Sequence, residues 1–211
     1  NDLRNAIGRG VLFLAYQPQM SFVAGQRARV EALVRWRHPQ RGVVAPDDFL
    51  PLAEEHGLID DLTAWVLETA IRQLHDWSGR GLDVKVAVNL SATNLSNPKL
   101  PELTAYLLER WDVDAAQLSV EVTESMMIRD SVVAASILQR FCDMGIETSL
   151  DDFGVGYSSF SHLRTLPVHE IKIDRSFVRN MADDSNDAAI VGSAITLGHT
   201  LGKRVVAEGV E

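Results

Sequence analysis

The sequence contains one cysteine, Cys142. A lone thiol cannot close a disulfide within its own chain, which excludes a disulfide scaffold. No CxxC or HExxH spacing occurs, and the six histidines are scattered without an HxH pair, so a zinc site has no ligand set to draw on. Positive charge is also scarce: 20 Lys and Arg stand against 29 Asp and Glu, a formal net charge of −9. That balance gives no field to attract polymeric nucleic acid or an anionic lipid surface. A small phosphate ligand would need its positive charge from another source. Apolar runs are short, none approaching the ~18 residues of a membrane span. The N-terminus lacks the charged-then-apolar pattern of a secretory signal. The expected location is the cytoplasm, with any membrane anchor left to a parent protein. Ser/Gly-rich, Pro-rich and like-charge blocks are missing, so nothing reads as a linker.

What is present is a chain of 211 residues, 46% of them hydrophobic, enough for one buried core. Short β-type runs alternate with amphipathic helical stretches, which implies an α/β fold. Seven runs stand out: 11–16 (VLFLAY), 28–36 (ARVEALVRW), 84–90 (VKVAVNL), 117–123 (QLSVEVT), 146–151 (IETSLD), 170–174 (EIKID) and 203–208 (KRVVAE). Leu62, Trp65, Val66, Ala70, Leu74 and Trp77 share one helical face, as do Val191, Ala194, Ile195 and Leu201. Helix starts are signalled at Asp60 or Asp61, at Pro101 and at Asp130 or Ser131.

Side chains alternate across a strand, so each run can be split into two faces. Leu118, Val120 and Val122 oppose Ser119, Glu121 and Thr123; Val84, Val86 and Val88 oppose Lys85, Ala87 and Asn89. One face is apolar, and the other turns polar toward the C-terminal end of the strand. That pattern suits a barrel with helices outside and a polar mouth, with a polar crevice in an open sheet as the alternative.

The strand ends carry Glu31, Asn89, Glu121, Asp151, Lys172 and Glu208. Converging carboxylates repel unless cations offset them. Oxygen ligands without His or Cys suit hard cations, Mg²⁺ or Mn²⁺. Two metals about 3.5–4 Å apart would use the donors economically and activate water at phosphorus. Asp151 and Asp152 are consecutive and point to opposite sides of a regular strand, so one must leave β geometry to join the other; Gly154 and Gly156 offer the freedom. The plainer alternative makes these acids helix N-caps. It suits Asp152 taken alone but not Glu recurring at three strand ends.

The ordered motifs EALVRW (31–36), VAVNLSA, EVTES, DDFGVGYSSFSHLRTLPVHEIKIDRSFV and VVAEGVE resemble the EAL family of cyclic di-GMP phosphodiesterases from about Leu14 to Glu211. The resemblance implies a TIM-like (β/α)8 barrel with an antiparallel first strand. It implies metal-dependent hydrolysis of cyclic di-GMP to linear pGpG, ending a second-messenger signal; the alternative is a catalytically weak cyclic di-GMP receptor. Residue by residue, Glu31, Asn89, Glu121 and Asp151 would bind one metal and Asp151, Asp152 and Glu208 the second. The cofactor would be two Mg²⁺ or Mn²⁺. Lys172, Glu31 and Glu208 would serve catalysis, Lys172 at the attacking water or scissile phosphate. Gln17, Leu33 and Arg35 match substrate-contacting positions, and Asp174 of IKID is grouped with them. Glu124 would anchor the loop DDFGVGYSS, which Ser158 helps to shape, and Glu211 would lie behind the ligands.

Val155 and Phe160 depart from the family pattern, where Thr or Ala and Leu are usual. The chain begins at Asn1 without Met and stops after a strand-like run, before the family's last strand and helix. Residues 1–211 are therefore expected to be one EAL domain, incomplete at its C-terminal end, within a larger protein that carries a sensor or cyclase domain and forms a homodimer. Cys142, Met126, Met127 and the histidines His38, His162 and His199 read as packing or capping residues.

Overall fold

The computed structural model describes the chain except residues 1, 9, 24, 125, 127–130, 156–159 and 211, and the side chains of 131 and 160–162. It divides into two units, Asn1–Ser119 and Val120–Glu211.

In the first unit β1 (Leu12–Gln19) runs antiparallel to β2 (Ala28–His38), from Leu12 opposite Trp36 to Gln19 opposite Arg29. Residues 20–27 connect them, too few for the crossover of about a dozen residues that a parallel neighbour requires. A short β3 (Gly42–Val44) folds back on the end of β2. β4 (Val84–Asn89) lies parallel to β2, with Ala28 opposite Val84 and Ala32 opposite Val88. The intervening helices are α2 (Pro46–Glu55) and α3 (Ile59–Ser78), preceded by α1 (Asp2–Gly8) and followed by α4 (Leu100–Trp111). Ala32, Val34 and Trp36 are buried on one face of β2, and Glu31, Leu33 and Arg35 are half-buried on the other. Leu62, Leu67, Ile71 and Leu74 of α3 are almost wholly buried, each contributing about 1.5–3 kcal/mol of apolar burial.

The second unit holds most of β5 (Leu118–Thr123), then α5 (Ser131–Asp143), β6 (Glu147–Phe153), α6 (Phe160–Thr165), β7 (Glu170–Ile173), α7 (Arg175–Asn180), α8 (Ser185–Thr200) and β8 (Arg204–Ala207). The strands neighbour one another in that order, and β7 is parallel to both β6 and β8. Between Leu150 and Phe153 the register with β7 slips: Leu150 sits opposite Ile171 and Phe153 opposite Ile173, so three steps on β6 match two on β7. That extra residue is a bulge.

All seven expected strands are present. Two differences have physical reasons. β1 continues to Gln19, past a Gln-Pro-Gln tail whose polarity and proline read as a loop; β3 is three residues long, too short to show a period. At α3 the helix starts at Ile59, with Asp60 and Asp61 in its first turn and no side-chain cap at Leu58. Asp60 instead accepts hydrogen bonds from the amides of Asn94 and Asn97. On α8 the buried stripe is Val191, Ala194 and Gly198, while Ile195 is exposed. Helix α5 begins at Ser131 as expected; Asp130, Met127 and the His162 side chain lie outside the described residues. No helix among the described residues is long and apolar enough to cross a membrane.

Candidate active site

In the first unit the β1–β2 register puts Gln17 opposite Glu31, and the β2–β4 register puts Glu31 opposite Ala87, two residues before Asn89. The Asn89 amide Nδ2 donates to Glu31 Oε1 at 2.8 Å. The two expected ligands are thus paired by backbone register. Leu33 and Arg35 follow Glu31 on the same face of β2; Arg35 turns its Nη1 to the Val34 carbonyl at 2.9 Å and stays half-buried. Gln17 is exposed.

The second unit builds two polar layers on one face of its sheet. Lower down, the Ser149 hydroxyl donates to Glu170 Oε1 at 3.0 Å, and Arg204 Nε approaches Glu170 Oε2 at 3.2 Å. Two residues further along each of β6 and β7 come Asp151 and Lys172. Lys172 is 1% exposed, yet its ammonium lies 2.7 Å from Glu121 Oε2, 3.2 Å from Asp151 Oδ2 and 2.7 Å from Glu208 Oε1. An ammonium has three N–H donors, and three carboxylates surround it. The expected contact of Lys172 with water or phosphate therefore requires one carboxylate to give way. The lower layer is not apparent in the sequence because Ser149, Glu170 and Arg204 lie on three separate strands; only their strand parity links them.

Asp151, Asp152 and Glu208 each bring a carboxylate oxygen into one group, all within 4.8 Å of one another. The expected departure from β geometry is present, and it involves Asp152 as well as Gly154, whose φ is +104°. Asp152 itself takes a left-handed φ of 54°, which Asp tolerates better than most residues, and its amide donates to Asp151 Oδ1 at 2.9 Å. Burial pushes the Asp152 carboxyl above its ordinary value, and Asp151 and Asp174 push it further; Lys172 and Arg175 offset part of this.

Glu124 is buried and accepts from the Gly154 amide at 3.2 Å through Oε2, so it grips the chain just beyond Asp152. Asp174 caps α7, accepting from the Ser176 amide and hydroxyl. Burial acts upward on its carboxyl, but the Ser176 hydrogen bonds and the Arg175 charge outweigh it and leave Asp174 below its ordinary value. A carboxylate so engaged is first a structural cap. Ser158, Gly156 and Glu211 lie outside the described residues. Cys142 donates its thiol to the Pro167 carbonyl, and burial pushes it up, which fits a packing role. His38 caps a turn, accepting from the amides of Gln40 and Arg41.

The family model of the EAL domain matches residues 1–211. The chain belongs to the EAL domain family. It is 46% identical to the Pseudomonas aeruginosa bifunctional diguanylate cyclase/cyclic di-GMP phosphodiesterase MucR, over 100% of this chain and 31% of MucR. It is 37% identical to the Escherichia coli cyclic di-GMP phosphodiesterase PdeR, over 100% of this chain and 32% of PdeR. The chain thus spans about a third of the length of these curated relatives. Among solved structures, the MucR phosphodiesterase in complex with cyclic di-GMP superposes with a TM-score of 0.94, covering 100% of this EAL chain and 85% of that one. The FimX EAL domain from P. aeruginosa bound to cyclic di-GMP has 26% identity and a TM-score of 0.92, covering 99% and 84%. These likenesses give the fold class: α/β, TIM-like, with the first strand antiparallel to the second, as the motifs implied.

Proposed function

We propose that this EAL domain hydrolyses cyclic di-GMP to linear pGpG with the help of two divalent cations, Mg²⁺ or Mn²⁺. The observation that carries the reading is the group of Asp151, Asp152 and Glu208 oxygens within 4.8 Å of one another, in a chain whose relatives are named cyclic di-GMP phosphodiesterases. The donor set fits such cations: it is all oxygen, and its carboxylate oxygens gather within 4.8 Å of one another. The motif assignments add Glu31, Asn89 and Glu121 as further donors. When bound, these cations supply Lewis acidity and activate water for in-line attack at phosphorus.

The chain's own groups then divide the work. Lys172 fixes the Glu121, Asp151 and Glu208 carboxylates in one arrangement and keeps positive charge beside the reacting phosphate. Gln17, Leu33 and Arg35 bind the nucleotide, the Arg35 fork suiting a phosphate or a guanine edge. Asp174 acts through its cap on α7, and Glu124 holds the loop that carries Asp152. Water adds its oxygen to phosphorus, the bond to the 3′ oxygen breaks, and that oxygen leaves with a proton.

The test is incubation of the protein with cyclic di-GMP and Mg²⁺ or Mn²⁺, with the nucleotides separated by chromatography. Conversion to pGpG supports the reading; tight binding with the cyclic nucleotide intact replaces it with a receptor. The parent protein is proposed to add a sensor or cyclase domain and to form a homodimer in the cytoplasm, which solution mass and fractionation of the full-length protein check.

A further inference from the structure

Two strand ends bring the acidic group together, and both lead against the same short helix. Asp151 and Asp152 lead into Gly154, which has a φ of +104° and stands so close to α7 that a Cβ there would lie 2.9 Å from Phe177 Cε2. Glu208 leads into Gly209, with a φ of +70°; a Cβ there would lie 2.8 Å from Arg175 Cβ. Neither contact leaves room for a side chain, and both backbones favour glycine. Phe177 and Arg175 are two residues apart on a helix of six residues, so the separation of the two glycines is tied to that of two neighbouring side chains.

Helix α7 is itself fastened. Asp174 caps it through Ser176, and Phe177 packs on the cluster of Ile173, Val178, Val191 and Ala194. The strand ends are tied to the same place, the Glu208 amide donating to the Ile173 carbonyl at 3.2 Å.

We propose that α7 is the spacer of the carboxylate group: Phe177 seats the loop of Asp152 and Arg175 seats the loop of Glu208, which makes both positioning residues for a divalent cation. The inference rests on the reading that this group holds such a cation. It assigns Arg175 a role through its Cβ and backbone, independent of its guanidinium.

The test compares the wild type with Gly209→Ala, Arg175→Gly, the double variant and Phe177→Leu. Mn²⁺ binding is read by calorimetry without nucleotide, and the urea midpoint monitors the fold. Gly209→Ala and Phe177→Leu are expected to weaken Mn²⁺ binding by about tenfold or more, the range seen when support behind a metal ligand is lost. Arg175→Gly removes the Cβ that Gly209→Ala would strike, so the double variant is expected to regain part of the lost Mn²⁺ binding, a recovery that reports complementary fit, the remaining loss being that of an alanine at a φ of +70°. Turnover should follow through kcat rather than KM for cyclic di-GMP. A double variant no better than Gly209→Ala, or single variants that bind like the wild type, overturns the proposal while the wild type still binds Mn²⁺ and forms pGpG. A wild type that binds no Mn²⁺ overturns the proposed function and this inference together.

Discussion

The Lys172 ammonium lies 2.7 Å from Glu121 Oε2, and neither side chain has meaningful contact with solvent. Burying either charge alone would be prohibitive, and together they still need further partners. Asp151 and Glu208 supply those partners for Lys172. The buried pair is therefore a fixed centre around which the more accessible carboxylates of Asp152 and Glu208 are arranged.

Replacing Lys172 by Met keeps the length of the side chain and removes its charge. Glu121 is then left buried without its cation, at a cost of about 3–5 kcal/mol. Urea unfolding of Lys172→Met at neutral pH should show that loss, with turnover lost as well. Unchanged stability would mean that Glu121 is neutral in the folded protein.

Asp152 leads to a dependence on pH. Its folded-state value is raised above 3.8 by burial and by its acidic neighbours, so between those two values the folded protein holds a proton that the unfolded chain has lost. Stability from this group is present below pH 3.8 and falls as pH rises through the folded value. In chelator, Asp152→Asn should therefore unfold at higher urea than the wild type at neutral pH, and the gap should close toward pH 4. Adding Mg²⁺ should stabilise the wild type more than the variant.

Much of this centre is legible in the sequence because strand parity and strand-end position are local properties. Asn89, Glu121 and Asp151 fall on the polar faces of their strands by alternation alone, and Glu31 and Lys172 stand within strand runs of the same kind. The bulge at Asp151–Asp152 was foreseeable as a necessity, since two consecutive carboxylates cannot share a face. Its extent was not: Asp152 itself takes a left-handed φ of 54°, and Gly154 two residues on takes +104°. The caps show the same limit. Asp60 looks like a helix N-cap, but it serves Asn94 and Asn97, more than thirty residues away. Close approach is the least visible of all: nothing local marks Gly209 as standing against Arg175.

Arg35 offers a test of substrate binding. It is half-buried, and its one described hydrogen bond is to the neighbouring Val34 carbonyl, so it contributes little to the fold. Arg35→Ala should raise KM for cyclic di-GMP by about 10- to 100-fold, the worth of one charged hydrogen bond, with kcat much less affected. An unchanged KM would remove Arg35 from the nucleotide site.

Glu31 bonds to Asn89 through Oε1, and its removal disturbs a pair already partly open to water. Glu31→Ala should keep its urea midpoint close to that of the wild type yet lose turnover by at least about a hundredfold. Near-normal rates would show that the pair lies outside the reacting site.

The most direct measurement is the rate of pGpG formation as Mg²⁺ is titrated, for the wild type and for Asp151→Ala. The account predicts that wild-type turnover is absent in chelator, rises with Mg²⁺ and saturates, while Asp151→Ala stays inactive at every concentration. Turnover that persists in chelator, or survives the loss of Asp151, would contradict it.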